Sequence, residues 1–305
     1  ITDLIKKGNS GIGDNVSIAG RMISFRKMGK ASFTHIQDEE EKIQVYLKND
    51  LLPENVYDDI VRNLDLGDII GCSGVLFVTK MGELTIKASN LNILSKNMRP
   101  LPNLKEKGGE AFNAFEDKEL RYRHRQLDLI VNPGIKTIFK KRARIISLVR
   151  RFLDNHGFIE VETPILQPIY GGASARPFTT FHNTLDQSYF LRIADELFLK
   201  RLIIGGFEKV YELAKNFRNE GMDRTHNPEY TSLEYYQAYS DVYDMMRFTE
   251  NLFKNIAKEI NQSQFDFNGH SIDLTKPFKN CSLFDLIKEH AGKDLSKFSK
   301  KELIS

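Results

Sequence analysis

Phe217-Arg218-Asn219-Glu220-Gly221-Met222-Asp223-Arg224-Thr225-His226-Asn227-Pro228-Glu229-Tyr230 separates two strand-like runs, Val210 to Phe217 and Tyr230 to Tyr239. Neighbouring strands need a turn of only about two to five residues, so a longer loop carrying two Arg, two Glu, an Asp and a His is there for its side chains. No crossover helix fits between the runs, which predicts an antiparallel pair rather than a parallel, doubly wound sheet. On the second run a period of two puts Tyr230, Ser232, Glu234 and Tyr236 on one face and Leu233 and Tyr235 on the other. Arg218 and Glu220, with Tyr230, Glu234 and Tyr236, can then line one surface: a guanidinium for phosphate, aromatic faces for a base, carboxylates for amino groups. On the residues alone, a solvated hairpin with a charged face stays open.

Outward from this hairpin, the preceding segments read as a helix from Ile135 to Leu153, stopped at Gly157, and a strand from Phe158 to Thr163. A strand near Tyr189 to Ile193 follows, then a helix from Asp195 ending at Gly205 and Gly206. A helix from Asp241 to Ile260 comes after the hairpin, and then a strand-like Phe265 to Leu274 and a helical Leu283 to His290. Toward the N-terminus the pattern changes. Val16, Ile18, Gly20 and Met22 alternate with other positions, as do Ile43, Val45 and Leu47. The runs Ile69 to Val78 and Leu84 to Leu94 are joined by the tight turn Lys80-Met81-Gly82-Glu83, and Pro53 opens a helical stretch from Glu54 to Leu64. Five strands with a helix between the third and fourth is the order of an OB barrel. Between the two patterns lies a connector holding Pro100, Pro102, Gly108, Gly109 and Pro133, with Arg121-Tyr122-Arg123-His124-Arg125 inside it. The predicted organisation is α+β: a barrel over residues 1–98, a linker over 99–134 and a sheet-and-helix domain over 135–305.

Composition excludes several classes. With 305 residues, 41% hydrophobic and 28% charged, and modest Gly and Pro, the chain is neither disordered nor fibrous. Its longest apolar stretch is too short to span a bilayer and its first residues carry no export signal, so no membrane role is expected. Cys72 and Cys281 stand far apart in sequence, without metal-ligand spacing, which points to a reducing, cytosolic setting and no zinc site. The net charge is +3, yet Arg121 to Arg151 holds ten Lys or Arg and the single acid Asp128. Such a basic stretch is the footprint of a polyanionic partner.

The motifs resemble a known family. Phe217 to Glu220 with His226 to Thr231 is similar to motif 2 of class II aminoacyl-tRNA synthetases, Gly157 to Pro164 to their motif 1, and Arg121 to Leu129 to the connector of the subgroup with an N-terminal OB barrel. Gly171-Gly172-Ala173-Ser174-Ala175-Arg176-Pro177-Phe178 and Arg192-Ile193-Ala194-Asp195-Glu196-Leu197 resemble the lysyl members rather than the aspartyl or asparaginyl ones. The resemblance implies a ligase of protein biosynthesis that activates L-lysine with ATP and passes it to the 3′ end of tRNA-Lys, as a cytoplasmic homodimer joined through motif 1. It implies catalysis through Arg218, which holds the ATP α-phosphate and the amino-acid carboxylate. ATP would be bound by Arg218, Asn219, Glu220, His226, Asn227 and Tyr230, the last in place of the family's more frequent Phe. Lysine would be bound by Gly172 and Glu196 at its α-amino group, by Arg218 at its carboxylate and by Glu234 and Tyr236 at its ε-ammonium. Arg26, Phe33 and Gln44 would read the anticodon, with Phe33 as a core residue being the alternative.

The family's glycine-rich motif 3, its magnesium ligands and a second carboxylate selecting the lysine side chain are not found in residues 1–305. Mg2+ ligands are therefore expected beyond residue 305, none within this chain, and the 305-residue chain alone is expected to be inactive, whether a natural truncation or a partial sequence. Rival readings are an aspartyl- or asparaginyl-type synthetase, a non-catalytic tRNA-binding fragment and a lysyl-transferring enzyme acting on protein, which would lack the barrel.

Overall fold

The computed structural model describes residues 1–102, 104–107, 110–113, 115–132, 134–299 and 302–303. The connector residues Gly108, Gly109 and Pro133 lie outside them, as do Ile304 and Ser305 at the end of the sequence. The chain divides into two compact units, Ile1–Ile135 and Lys136–Ser305.

In the first unit a short helix α1 (Thr2–Lys7) precedes β1 (Asn15–Met28), β2 (Ala31–Gln37) and β3 (Lys42–Lys48). Where the sequence predicts a helix from Glu54 to Leu64, there is one α-turn, α2 (Val56–Asp59), and a 3-10 turn, Val61–Asn63. Then come β4 (Ile69–Val78) and β5 (Leu84–Ser95). The strands close as β1-β2-β3-β5-β4, with β3 and β5 parallel and the other pairs antiparallel. Alternation decides what goes inside. Ser32, Thr34 and Ile36 of β2 are buried, as are Ile43, Val45 and Leu47 of β3 and Ile70, Cys72 and Leu76 of β4. Burying each such aliphatic side chain contributes about 1.5–3 kcal/mol. Closure also needs close backbone approach: a Cβ on Gly74 would lie 2.1 Å from the Lys87 carbonyl oxygen, so only glycine fits beneath β5.

The predicted connector has structure of its own. A hairpin of β6 (Leu104–Lys107) and β7 (Glu110–Asn113) is followed by α3 (Lys118–Arg123), capped by the Asp117 carboxylate, and α4 (Arg125–Val131). The basic cluster is partly consumed internally. Arg121 Nε lies 2.8 Å from Asp128 Oδ1, Arg125 pairs with the other oxygen of that fully buried carboxylate, and Arg123 pairs with Glu119.

In the second unit α5 (Gly134–Asn155) leads through Gly157, at φ +78°, to β8, which is only Ile159–Glu160 rather than the longer predicted strand. Next are β9 (Leu166–Gln167), β10 (Thr179–His182), β11 (Gln187–Leu191), α6 (Glu196–Ile204), β12 (Lys209–Phe217) and β13 (Glu229–Gln237). The amphipathic α7 (Val242–Glu259) starts with a reciprocal cap between Asp241 and Asp244. The hairpin β14 (Gln264–Phe267) and β15 (His270–Asp273) and then α8 (Leu283–Ala291) follow.

The predicted β12–β13 pair is antiparallel in continuous register from Lys209↔Gln237 to Phe217↔Glu229. Its sheet is mixed, however, because β8 joins β12 in parallel. The long α5 intervenes before β8 and supplies the reach that a parallel strand needs. Val149, Leu153, Phe158 and Tyr211 form the core beneath this sheet, with Leu213, Leu233, Tyr235 and Phe248 packed against it. Its other face carries the site.

Candidate active site and nucleic-acid surface

Direct pairing across β12 and β13 places Glu212 opposite Glu234, Ala214 opposite Ser232 and Asn216 opposite Tyr230 on one face. Like charges opposite one another are unfavourable. Arg192 resolves the conflict from the segment between β11 and α6. Its buried guanidinium bonds Glu212 Oε1 at 2.7 Å, the Lys215 carbonyl at 3.0 Å and the Thr163 hydroxyl at 3.0 Å. The backbone of the same residue joins the elements, donating to the Ile165 carbonyl and accepting from the Phe217 amide.

Over this layer sit the predicted amine-binding groups. Glu234 accepts from the Tyr236 hydroxyl at 3.0 Å and, through Oε1, from the backbone N–H of Asp195 at 3.4 Å. Burial, with the Glu234 charge beside it, pushes the Tyr236 hydroxyl well above the usual phenol range. Glu196, in the first turn of α6, pairs with Lys200 one turn on. Gly172, at φ +88°, brings its loop against that turn: a Cβ there would lie 3.2 Å from both Ala194 Cβ and Glu196 Cβ. A side chain at position 172 would be strained and would crowd Glu196.

Arg218 continues from β12 with its guanidinium 5.4 Å from the centre of the Tyr230 ring. The Arg218 N–H donates to the Pro228 carbonyl, and the loop continues into contact with the Gly171–Phe178 segment, where Asn219 N–H donates to the Arg176 carbonyl at 2.8 Å and Glu220 Oε1 accepts from Arg176 N–H at 3.3 Å. The structure thus brings together Gly172, Glu196, Arg218, Tyr230, Glu234 and Tyr236. His226 and the exposed Asn227 stand at the loop tip, where Asp223 organises the turn by accepting from the amides of Thr225 and His226 and from the His226 ring. Those donors hold the Asp223 carboxyl well below the usual carboxylate range.

Arg192, Asp195, Glu212 and Asn216 are site residues that the sequence reasoning did not assign. The signal available was the i,i+3 spacing of Arg192 and Asp195 inside a motif otherwise read only for Glu196. Among the described residues, the buried side-chain atoms without a hydrogen-bond partner are both Asp195 carboxylate oxygens, Asn216 Oδ1 and Arg218 Nε. All belong to this site. No group of three or more His, Cys, Asp or Glu among the described residues is placed to hold a metal ion. These side chains therefore do not by themselves build a magnesium site, and no step is assigned to one.

On the barrel, Arg26, Phe33 and Tyr46 are directly opposite one another on β1, β2 and β3, and the adjacent rung carries Ser24, His35 and Gln44. Alternation sets both rungs on the face opposite Ile43, Val45 and Leu47; Phe33 is half-buried there rather than a core residue, whereas Gln44 is buried. Arg26 lies on β1 itself. Phe33 stacks on Tyr46 with centroids 4.8 Å apart, and Phe77 meets Tyr46 edge-on at 6.3 Å. Gln44 is fixed in orientation: its Nε2 donates to Glu83 at 2.7 Å and its Oε1 accepts from Thr85 at 2.9 Å. The other Glu83 oxygen meets His35 Nε2, whose partner nitrogen meets Ser24. Tyr46, His35 and Glu83 went unread; Tyr46 was within reach, two residues beyond Gln44 on the same face.

A closed five-stranded barrel and a charged antiparallel strand pair joined by a parallel strand together define the class of protein to which the chain is similar. Residues 117–303 match the family of tRNA synthetases class II (D, K and N), and residues 16–94 match the OB-fold nucleic acid binding domain. The chain belongs to the class II tRNA synthetases of that D, K and N family. Among curated proteins it is 51% identical over 285 residues to a lysine–tRNA ligase of Thermoanaerobacter sp. (strain X514) and equally to that of Thermoanaerobacter pseudethanolicus, covering 93% of this chain and 56% of each relative. It is 52% identical over 281 residues to the lysine–tRNA ligase of Pelotomaculum thermopropionicum, covering 92% of this chain and 54% of the relative. The chain spans about half the length of the curated relatives it matches.

Proposed function

We propose that this chain carries the barrel and the amino-acid-activating sheet of a lysine–tRNA ligase, arranged as an anticodon-binding domain over 1–98, a linker over 99–134 and the first part of the catalytic domain over 135–305. The observation that carries this reading is the charge of the pocket. Glu212 and Glu234 lie beside Asp195, Glu196 and Glu234 lie beside Tyr236, and the buried Arg192 is paired with Asp195 and Glu212, so the pocket is rich in carboxylates, suits an ammonium side chain and repels aspartate. The relatives' names favour the same substrate.

In the proposed reaction a lysine carboxylate oxygen attacks the α-phosphorus of ATP. A new P–O bond forms as the bond to pyrophosphate breaks, and the lysyl group then passes to the terminal adenosine of the tRNA. Little acid–base work is needed; positioning and charge stabilisation dominate. Arg218 offers a planar fork able to span phosphate and carboxylate, and its unpartnered Nε leaves a donor for them. Tyr230 offers a ring for the adenine, while Asn219, Glu220, His226 and Asn227 border the same loop. Gly172 and Glu196 take the α-amino group and Glu234 and Tyr236 the ε-ammonium. Mg2+ would accompany ATP, bound by groups other than those described. The protein is proposed to work in the cytoplasm, and among the described residues no helix is long and apolar enough to cross a membrane.

A homodimer is part of the proposal. Exposed Ile138 and Phe139 on α5 adjoin a largely apolar groove of about 520 Å³ lined by α5, β12 and β13, including Ile145, Ile146, Leu213 and Leu233. On the barrel, Arg26, Phe33 and Gln44 are proposed to hold anticodon bases, a ring for stacking beside an amide of fixed orientation. The decisive experiment is ATP–pyrophosphate exchange by the full-length protein with lysine, aspartate or asparagine. Exchange with lysine alone is expected; exchange with either of the others instead would overturn the assignment.

A further inference from the structure

Asp195 is the most weakly held carboxylate of the pocket, with a long 3.5 Å ion pair to Arg192 and the Asn216 amide beside it. It is fully buried at the start of α6, it caps no helix N–H, and neither oxygen accepts a hydrogen bond from the described residues. The charged and titratable groups facing it are Arg192, whose Nε is 3.5 Å from Oδ1, Glu212 on β12, and Glu234, Tyr230 and Tyr236 on β13. Glu196 follows it on α6. The Asn216 amide lies beside it, its own Oδ1 lacking a donor. The guanidinium beside Asp195 is already bonded to Glu212, and Glu234 adds a further negative charge next to Asp195. A buried charge without donors is costly, and such a group neutralises itself by taking up a proton.

We infer that Asp195 is a proton-exchanging positioning residue of this pocket: in mildly acidic solution it holds a proton while the pocket is empty and releases it to solvent when a substrate ammonium group enters beside Glu234. This rests on the proposed lysine reading for the identity of the cation. It adds that occupancy of the pocket is coupled to proton release. An arriving cation supplies the positive charge that the three carboxylates lack, so ionised Asp195 becomes the stable form. Burial, opposed by Arg192 and reinforced by Glu212 and Glu234, raises the Asp195 carboxyl from 3.8 to about 6, within reach of ordinary solution conditions.

The test combines infrared difference spectroscopy with calorimetry on the full-length protein. A protonated carboxyl band titrating near pH 6 is expected in the free protein. It should be absent in Asp195→Asn and shifted to lower pH in Glu234→Gln, which removes a facing negative charge. Lysine titrated at pH 6 in buffers of different ionisation heat should release about half a proton per site, and wild-type affinity should be about tenfold weaker at pH 5 than at pH 7. The wild-type measurements need no variant to fold. Absence of the band above pH 5 overturns the inference whether or not lysine binds, as does lysine binding with no proton release. If lysine fails to bind, the lysine assignment falls, and the band still decides whether Asp195 carries the proton.

Discussion

The barrel and the sheet of this chain treat polar groups in opposite ways. The barrel holds its polar network already bonded: the buried Gln44 and Thr85 and the partly buried His35 are tied together with Glu83. The sheet buries its recognition groups and leaves several unsatisfied, with Asp195, Asn216 and Arg218 all lacking partners. A surface that meets a flexible single strand benefits from being rigid beforehand, because ordering then costs less at binding. A pocket that meets a charged small molecule gains selectivity from groups that only the right ligand completes. Under the proposed function, the unsatisfied atoms would meet the small-molecule substrates and the satisfied network would meet a base.

The sharpest way to break this comparison is at Arg218. A charge that develops on phosphoryl oxygens is best met by a fork fixed in place, so full-length Arg218→Lys should lose about 100-fold in lysine-dependent ATP–pyrophosphate exchange. Transfer from preformed lysyl-adenylate should be less affected. Near-normal exchange would mean that positive charge alone suffices and that the unsatisfied guanidinium is not the phosphate ligand.

On the barrel, Phe33→Ala should weaken tRNA binding by about 1–3 kcal/mol if the ring stacks on a base. Because Phe33 lies on the outer face against Tyr46, barrel melting should move little. Binding unchanged in a folded variant would remove the stacking role; a collapsed barrel would show that the outer aromatic cluster is structural.

Asp195 allows a third test, on stability. Its carboxyl is raised from 3.8 to about 6 by burial, so between those pH values the folded protein holds a proton that the unfolded chain has lost. Stability therefore falls as pH rises through that window, and the cost is greatest above pH 6. Asp195→Asn should stabilise the ligand-free protein by about 1–3 kcal/mol at pH 8 and hardly at all at pH 4. Equal melting shifts at both pH values would show that the charge is not what costs stability.

The smallest expected effect separates two arginines of one cluster. Arg123 is exposed and pairs only with exposed Glu119, so Arg123→Ala should alter stability by less than about 0.5 kcal/mol while lowering the salt slope of tRNA binding by about one. Arg121→Ala strips a donor from the buried Asp128 and should instead destabilise by about 1–3 kcal/mol. Matched thermal melts and salt titrations distinguish them; a normal melt for Arg121→Ala would place Arg121 among the free phosphate contacts.

Sequence by itself determined the β12–β13 pairing, the five barrel strands, the long helices α5 and α7, and the faces on which Tyr230, Glu234, Tyr236 and Gln44 lie. These follow from periodicities of two and about 3.6 and from turn residues, all local properties of the chain. The tertiary structure alone decided that β8 is short and parallel, that Arg121 and Arg125 clamp Asp128, that Glu83 locks Gln44, that Phe33 lies on the outer face, and that Arg192 bonds Glu212 closely while holding Asp195 only at 3.5 Å. Burial, desolvation and ion pairing depend on what distant segments pack against a group. A charged residue reads the same in sequence whether its partner is water, a buried guanidinium or a ligand still to arrive.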